Sequence, residues 1–166
     1  GFDLTRNYRE AYNLFACCGI LFNHESPRRG REFVTRKITS TASLIKKGKA
    51  HELRLGNLDA RRDWGHAKDY VQAMHLMLQR DSPEDFVIGS GKAHSVRDFL
   101  QATFSELDLN YQDYVIVDEQ FFRPAEVEIL LADPKKAKVN LNWAAKVNFK
   151  DLVKEMIQSD MEKINE

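Results

Sequence analysis

The sequence "LFACCGILF" (residues 14–22) is apolar throughout and shows no alternation of polar and apolar side chains. That pattern is typical of a strand covered on both faces, as in a parallel sheet flanked by helices. A polar segment, "NHESPRRG" (residues 23–30), follows immediately. Because ligands of parallel sheets bind at the carboxyl ends of the strands, residues 14–30 predict an α/β protein with a binding site at this strand end.

The composition limits the classes of function. The chain has 166 residues, about one domain, with 43% hydrophobic and 30% charged residues, which indicates a globular protein. Lys plus Arg and Asp plus Glu are both 25, so no net charge favours nucleic acid or an anionic membrane surface as a partner. No apolar run approaches the roughly 20 residues that a membrane-spanning helix needs, and the polar start "GFDLTRNYRE" does not resemble a signal peptide.

The cysteines indicate a compartment, and the sequence lacks short metal motifs. Cys17 and Cys18 are adjacent, and neighbouring residues make a poor structural disulfide. We therefore expect two small apolar side chains in a reducing cytoplasm. Neither a CxxC nor an HExxH pattern is present, so no metal site is predicted.

Helical and strand patterns alternate along the rest of the chain, which again predicts the α/β class. Apolar faces are expected from Val34, Ile38 and Ile45 in the first long helix, and from Val71, Met74 and Leu78 in the next. Further starts and stops come from Gly48 after a helix, Ser95 with Asp98 as a capping box, Asp133 before Pro134, and Asn148 before the last helix. The predicted helices cover about 32–47 and 67–79, and the predicted strands cover 51–56, 85–91 and 114–118.

The first 13 residues do not fit the start of an α/β domain. They resemble the later turns of a helix, whereas such a domain usually begins with a strand. A parallel strand at 14–22 also requires neighbours that this segment does not supply. We therefore expect that the sequence is a fragment and that an upstream half of the sheet is missing.

The polar loop is the first candidate site. Asn23 and His24 offer donors and acceptors, and Arg28 and Arg29 offer forked donors that suit phosphate. Residues 25–37 contain five basic and two acidic side chains, a net charge of +3. The alternative is a solvated basic turn without a ligand.

Arg62, in "DARRDWGHAKDY" (residues 59–70), is the second candidate. It precedes a predicted helix, so its guanidinium and the helix amides would hold one anion together. Alternatively, Arg62 pairs with Asp63 or Asp69 and the neighbouring Trp64 serves only the core.

Arg123 and Glu126, in "FFRPAEVE" (residues 121–128), form a third candidate, with arginine for phosphate and glutamate for sugar hydroxyls. The alternative here is a surface ion pair. Lys37 is in reach of a base or phosphate, or is an ordinary solvated lysine.

Three stretches together resemble a known family. They are "NYREAYNLFACCGILFNHESPRRGREFVTRKI", "LGNLDARRDWGHAKDYVQAMHLML" and "FFRPAEVEILLADPKKAKVNLNW", and they closely resemble the GDP-mannose 4,6-dehydratases, which are extended short-chain dehydrogenase/reductases. The resemblance runs from about Asn7 to Met161 and corresponds to the C-terminal half of the family's sequence. It implies a few strands of a Rossmann-type parallel sheet plus a small α/β nucleotide-sugar-binding domain.

The resemblance also implies a reaction and its ligands. The family uses NADP to oxidise C4 of GDP-mannose, eliminates water across C5 and C6, and returns the hydride to C6, which gives GDP-4-keto-6-deoxymannose. It implies cofactor contacts from His24 and Arg29 and a substrate contact from Asn23. The implied remaining GDP-sugar ligands are Lys37, Arg62 and Arg123 with Glu126, the last for ribose hydroxyls.

The chain departs from the family pattern in its catalytic residues. The glycine-rich dinucleotide loop, the Tyr-x-x-x-Lys pair and the catalytic Thr and Glu are absent, and "YREAY" (residues 8–12) has tyrosine where the lysine would stand. We therefore predict that the isolated chain has no dehydratase activity. A related GDP-sugar reductase or epimerase, a non-catalytic GDP-sugar-binding module, and a phosphate- or nucleic-acid-binding module on residues 28–37 remain as alternatives.

The resemblance finally implies a domain division and partners. Residues 1–30 and 59–91 are expected in the Rossmann NADP-binding domain, and residues 31–58 and 92–166 in the substrate domain, interleaved with the first. The expected partners are GDP-mannose, the missing N-terminal Rossmann half and further copies in a dimer or tetramer. Nucleic acid and membranes are not expected partners.

Overall fold

The fold was analysed in a computed structural model that describes residues 1–122 and 125–165. Its helices are α1 Phe2–Tyr12, α2 Val34–Lys46, α3 Ala67–Met77, α4 Val96–Glu106, α5 Lys135–Leu141 and α6 Phe149–Asn165. Its strands are β1 Gly19–Leu21, β2 Asn23–Glu25, β3 Leu53–Leu55, β4 Arg61–His66, β5 Phe86–Ile88, β6 Ala93–Ser95, β7 Val115–Val117 and β8 Ile129–Leu130. In both of those described ranges, no helix is long and apolar enough to cross a membrane.

Most strand pairs are parallel. β1 pairs with β5, β2 with β4, β3 with β7 and β8 with β4, all in parallel, whereas β6 pairs with β4 in antiparallel orientation. Parallel pairs need long crossover connections, and helices supply several of them here. The predicted α/β class is therefore confirmed.

The predicted strand at residues 14–22 is too long. The structure has two short strands, β1 and β2, separated by Phe22, and Leu14 and Phe15 lie exposed before them. Among the described residues β1 has β5 as its one partner strand, so the opposite edge is open and Ile20 is 46% exposed. The apolar pattern correctly indicated a parallel strand, but its length depends on neighbours that a pattern does not show.

The core consists of two apolar clusters. The larger one, cluster A, is built mainly by α2, α4 and α6, with Ile38, Phe99 and Met156 fully buried. The smaller one, cluster B, joins α3, β5 and α5, with Tyr70, Ile88 and Ala137 fully buried. Each cluster covers one group of short strands. A cleft lined by several of the candidate binding residues lies against cluster A.

The predicted apolar face of α3 is wrong. Tyr70, Ala73 and Met77 are buried, whereas Val71 and Leu78 are 61% and 58% exposed. Met74, the third residue of the predicted face, is 39% exposed. Both stripes have helical spacing, so packing decides between them, and the Tyr70 ring lies so close to the backbone of Gly65 that a Cβ there would come within 2.4 Å of it.

Most local signals at helix ends were predicted correctly. Ser95 and Asp98 form the complete capping box of α4, and the Asn148 side chain accepts a hydrogen bond from the Asp151 amide at 2.9 Å. Gly48 follows α2 with a positive φ of 68°, as a glycine after a helix often does. Asp133 accepts from the Lys135 amide at 3.1 Å, so α5 begins one residue later than an Asp–Pro start predicts. These interactions are local in sequence, which explains why short patterns revealed them.

Candidate functional site

A cleft of about 360 Å³ lies between the β2–α2 connection and β4. Phe121 and Glu126, which follow β7 in the chain, also line it. Five of the residues that sequence reasoning proposed as ligands line this cleft, although they are spread over more than 100 positions of the chain. They are Asn23, Arg29, Lys37, Arg62 and Glu126.

A buried carboxylate organises the β2 side of the cleft. Glu25 is 1% exposed, accepts a hydrogen bond from the Thr35 hydroxyl at 2.6 Å, and lies 3.2 Å from Nε of Arg29. Burial raises the pKa of Glu25 above its ordinary value, and the Thr35 hydrogen bond and the charge of Arg29 oppose that shift. The Arg29 guanidinium also lies over the Phe33 ring, 3.5 Å from its centroid. Contacts of Glu25 and Arg29 with each other, with Thr35 and with Phe33 therefore hold the polar loop against the start of α2.

The basic residues of this loop and of α2 are only partly solvated, because Arg28 and Arg31 are exposed whereas the others make specific contacts. Arg36 is 3% exposed and pairs with Asp160 of α6. Lys37 donates to the Arg54 carbonyl at 2.7 Å and lies 4.0 Å above the Phe121 ring centroid. Burial lowers the pKa of Lys37. The positive charge is thus divided among the core, the cleft and the exposed surface.

Arg62 enters the cleft from β4. Its Nη1 donates to the carbonyls of Arg61 and Val127, both at 2.8 Å, and its Nη2 pairs with the carboxylate of Glu126. Arg62 is five positions before Ala67 along an extended strand, so it lies away from the first turn of α3. Nη2 of Arg62 therefore faces Glu126, and both residues line the cleft.

The two aspartates considered as partners of Arg62 have other roles. Asp63 is fully buried and accepts from the amides of Ser90 and Gly91, both at 2.8 Å. Asp69 accepts from the amides of Lys146 and Val147 at 2.8 and 3.0 Å. These carboxylates bind backbone donors between segments that are distant in sequence.

Trp64 belongs to the core and to the cleft wall. It is 3% exposed and packs edge-on against Phe99. Its remaining surface lines the cleft.

His24 is not brought to the cleft lining by the described contacts. His24 alternates with Asn23 and Glu25 along β2, so its side chain lies on the opposite face of the strand. Its Nδ1 is 2.9 Å from the Phe22 carbonyl, and its ring centroid is 5.1 Å from that of Tyr70. Arg123 lies outside the described residues.

Sequence reasoning missed several residues of the cleft. Glu25 and Thr35 were not singled out, although the alternation of a strand places Glu25 on the same face as Asn23. Phe33 and Phe121 were also missed, because an aromatic residue beside a polar motif is common and gives no separate signal.

The lining combines three cations, three carboxylates, two amides and three aromatic side chains. Arginine and lysine side chains suit phosphate oxygens, and the carboxylate of Glu126 and the amide of Asn23 suit hydroxyl groups. In the part of the chain that the structure describes, no group of three His, Cys, Asp or Glu side chains is placed to hold a metal ion. The arrangement therefore fits a phosphorylated ligand that also carries hydroxyl groups.

Comparison with known protein families identifies the family of this chain. A family model described as GDP-mannose 4,6 dehydratase matches residues 1–156. The chain belongs to the GDP-mannose 4,6-dehydratase family. It is 56% identical over 158 residues to GDP-mannose 4,6 dehydratase 2 of Arabidopsis thaliana, with 95% of this chain and 42% of that protein covered. It is 51% identical over 173 residues to the GDP-mannose 4,6 dehydratase of Homo sapiens, with 94% and 46% covered.

The fold agrees with solved structures of low sequence identity. The structure of RMD from Pseudomonas aeruginosa complexed with NADPH matches with a TM-score of 0.88 at 16% identity, over 97% of this chain and 53% of that chain. At that identity the match shows the fold alone. The chain spans about half the length of the curated relatives it matches.

Proposed function

We propose that this chain supplies the nucleotide-sugar side of a GDP-mannose 4,6-dehydratase. The complete enzyme would convert GDP-mannose to GDP-4-keto-6-deoxymannose, a step toward GDP-deoxysugars such as GDP-fucose. The observation that carries the proposal is the convergence of Asn23, Arg29, Lys37, Arg62 and Glu126 on one cleft. The family membership and the names of the relatives support the same ligand.

Each cleft residue has a proposed role that follows from its chemistry. Arg62 and Lys37 bind the diphosphate, since both are cations whose positions are fixed by backbone carbonyls. Glu126 accepts from ribose hydroxyls, and Asn23 contacts the sugar or the diphosphate. Arg123, proposed as a second diphosphate ligand, lies outside the described residues.

The cofactor of the proposed enzyme is NADP, and the residues present fit a phosphorylated dinucleotide. Arg29 has its Nε held by Glu25 at the wall of the cleft. The contact of Nδ1 with the Phe22 carbonyl fixes the His24 ring. NADP, when bound, accepts a hydride from the sugar and returns it. Arg29 would bind its phosphate, and His24 would orient its nicotinamide end.

The catalytic residues are proposed to lie on another polypeptide segment. The 166 residues contain no Tyr-x-x-x-Lys pair on α1, where the resemblance places the end of the helix that carries it. We propose a division into a Rossmann part, residues 1–30 and 59–91, and a substrate part, residues 31–58 and 92–166. Cluster B joins α5 to the first part, which indicates that the two parts are packed together.

Assembly and location follow as further proposals. Leu4, Tyr8 and Tyr12 lie along one exposed side of α1, which supports a partner surface in a dimer or tetramer of the complete enzyme. Cys17 and Cys18 are free, which supports a reducing cytoplasm.

Isothermal titration calorimetry of the 166-residue chain tests the proposal. We expect GDP-mannose to bind and UDP-glucose to bind at least about tenfold more weakly. No heat with GDP-mannose at millimolar concentration would contradict the proposed site. Product formation from GDP-mannose and NADP by this chain alone would contradict the proposed location of the catalytic residues, whereas binding without turnover agrees with it.

A further inference from the structure

The contacts of Arg62 leave one side of its guanidinium for a ligand. Both protons of Nη1 point to carbonyl oxygens, those of Arg61 and Val127, each 2.8 Å away. An arginine has five N–H donors arranged as a fork. A bidentate contact with phosphate uses two parallel N–H groups on one side of the fork. For Arg62 that side is formed by Nε and Nη2.

Glu126 already binds one of these two nitrogens. Its carboxylate pairs with Nη2, and the side chains of Arg62 and Glu126 are 13% and 22% exposed, so the pair is partly shielded from water. Among the contacts of the described residues, the Nε–H group of Arg62 has no acceptor. A phosphate that binds Nε and Nη2 together therefore brings its negative charge beside this carboxylate and competes with it for Nη2.

The consequence of displacement depends on the ligand. A free diphosphate takes the place of the carboxylate and leaves Glu126 as a second negative charge beside its own charges, which is unfavourable. A nucleoside diphosphate brings ribose hydroxyls, which donate hydrogen bonds to the displaced carboxylate. Hydrogen bonds from the ribose thus compensate the movement of Glu126 when a nucleoside diphosphate binds. No such hydrogen bonds form when free diphosphate binds.

We propose that Glu126 is a specificity-determining residue that makes binding at Arg62 depend on the nucleoside part of the ligand. The site then selects nucleoside diphosphates over inorganic diphosphate through the competition at Nη2. This inference rests on the proposed function, because it takes the diphosphate and ribose roles of the two residues as its starting point.

Substitution of Glu126 by glutamine tests the inference because it removes the charge and retains the size. Titration calorimetry of the full 166-residue chain would measure inorganic pyrophosphate and GDP with the wild type and with Glu126→Gln. We expect pyrophosphate to bind about threefold to tenfold more tightly to the variant, the factor that one partly screened ion pair represents. GDP should not gain to the same extent, so the ratio of the two affinities falls.

Matched variants separate this effect from a general change in charge. Glu84 forms a comparable ion pair with Arg80 outside the cleft, with both side chains 28–29% exposed. Glu84→Gln should leave the affinity ratio unchanged. Arg62→Gln combined with Glu126→Gln should remove the gain in pyrophosphate affinity. Circular dichroism of every variant checks folding, and Glu126→Ala provides the second variant if glutamine disturbs the fold.

The outcomes distinguish the inference from the proposed function. If the wild type binds GDP and the affinity ratio is the same in Glu126→Gln, the inference is wrong and the proposed function stands. If neither protein binds GDP or pyrophosphate, both are wrong. A fall in the ratio for Glu126→Gln and not for Glu84→Gln supports the competition at Arg62.

Discussion

Arg9 and Asp85 form a bidentate ion pair between helix α1 and the start of β5, with Nη1 and Nη2 at 2.8 and 2.9 Å from the two carboxylate oxygens. Asp85 also accepts from the Cys18 amide at 2.7 Å, and Arg9 donates to the Ala16 carbonyl at 3.0 Å. None of the residues of α1 is buried. The position of this helix on the described part of the chain therefore depends on polar contacts and not on apolar packing.

Asp85→Asn should lower the melting temperature of the chain at neutral pH. The variant should also lose less stability than the wild type as the pH falls. The hydrogen bonds from Arg9 lower the pKa of Asp85 to about 2, whereas an unfolded aspartate has a pKa of about 3.9. The stabilisation is therefore complete above about pH 4 and is lost as the pH falls toward 2. Melting temperatures measured from pH 2 to 7 should converge at low pH. Asp3→Asn, on exposed α1, is the control, and parallel profiles for wild type and Asp85→Asn would contradict the prediction.

Asp160→Asn should destabilise the contact between α2 and α6. Asp160 pairs with Arg36, accepts from the Thr39 hydroxyl at 2.7 Å, and is 3% exposed. Loss of one partner leaves a buried cation without a counter-charge, which costs about 3–5 kcal/mol in comparable sites. Urea unfolding measures the change.

The paired substitution Arg36→Met with Asp160→Leu is the matched control for that experiment. It removes both charges and restores apolar packing, so most of the stability should return. A single variant that loses less than about 1 kcal/mol would show that Arg36 finds another partner or water.

Lys37→Gln should weaken GDP-mannose binding without loss of the fold. Lys37 is fixed by the Arg54 carbonyl and the Phe121 ring at the wall of the cleft. Loss of one charge-assisted contact to a phosphate is expected to reduce the affinity by about tenfold or more. Lys150→Gln, an exposed lysine outside this cleft, should leave the affinity unchanged. Equal affinities for the two variants in titration calorimetry would exclude Lys37 as a phosphate ligand.

The two faces of α3 should respond differently to substitution. Val71→Ser lies on the exposed face and should change the free energy of unfolding of the isolated chain by no more than about 0.5 kcal/mol. Ala73→Leu places three extra carbons at a fully buried position and should cost about 1–3 kcal/mol. Chemical denaturation of both variants gives the comparison. A larger loss for Val71→Ser would indicate that the exposed face is covered in solution.

Local sequence signals predicted much of the fold. The capping box of Ser95 and Asp98, the cap at Asn148 and the positive φ of Gly48 involve residues within one helical turn of each other. Their interactions do not depend on distant segments, so a single sequence contains them. The apolar character of residues 14–22 and 85–91 also indicated strands, and β1 and β5 lie in these segments.

The elements that were predicted wrongly are those for which the sequence pattern is compatible with more than one arrangement. The two stripes of α3 have the same helical spacing, and the contact of Tyr70 with the backbone at Gly65 selects one of them. Likewise, an apolar run does not show how many of its residues find a partner strand, which is why β1 covers three residues and not nine.

The sequence by itself determined the α/β class, most helix caps and the types of side chain available for a phosphorylated ligand, because these depend on composition and short-range spacing. The tertiary structure alone decided which of those side chains meet. It separated His24 from Asn23 by the alternation of β2, buried Arg36 against Asp160, and brought Arg62 to Glu126 across 64 positions. Such pairings depend on how distant segments pack, and that information is distributed over the whole chain.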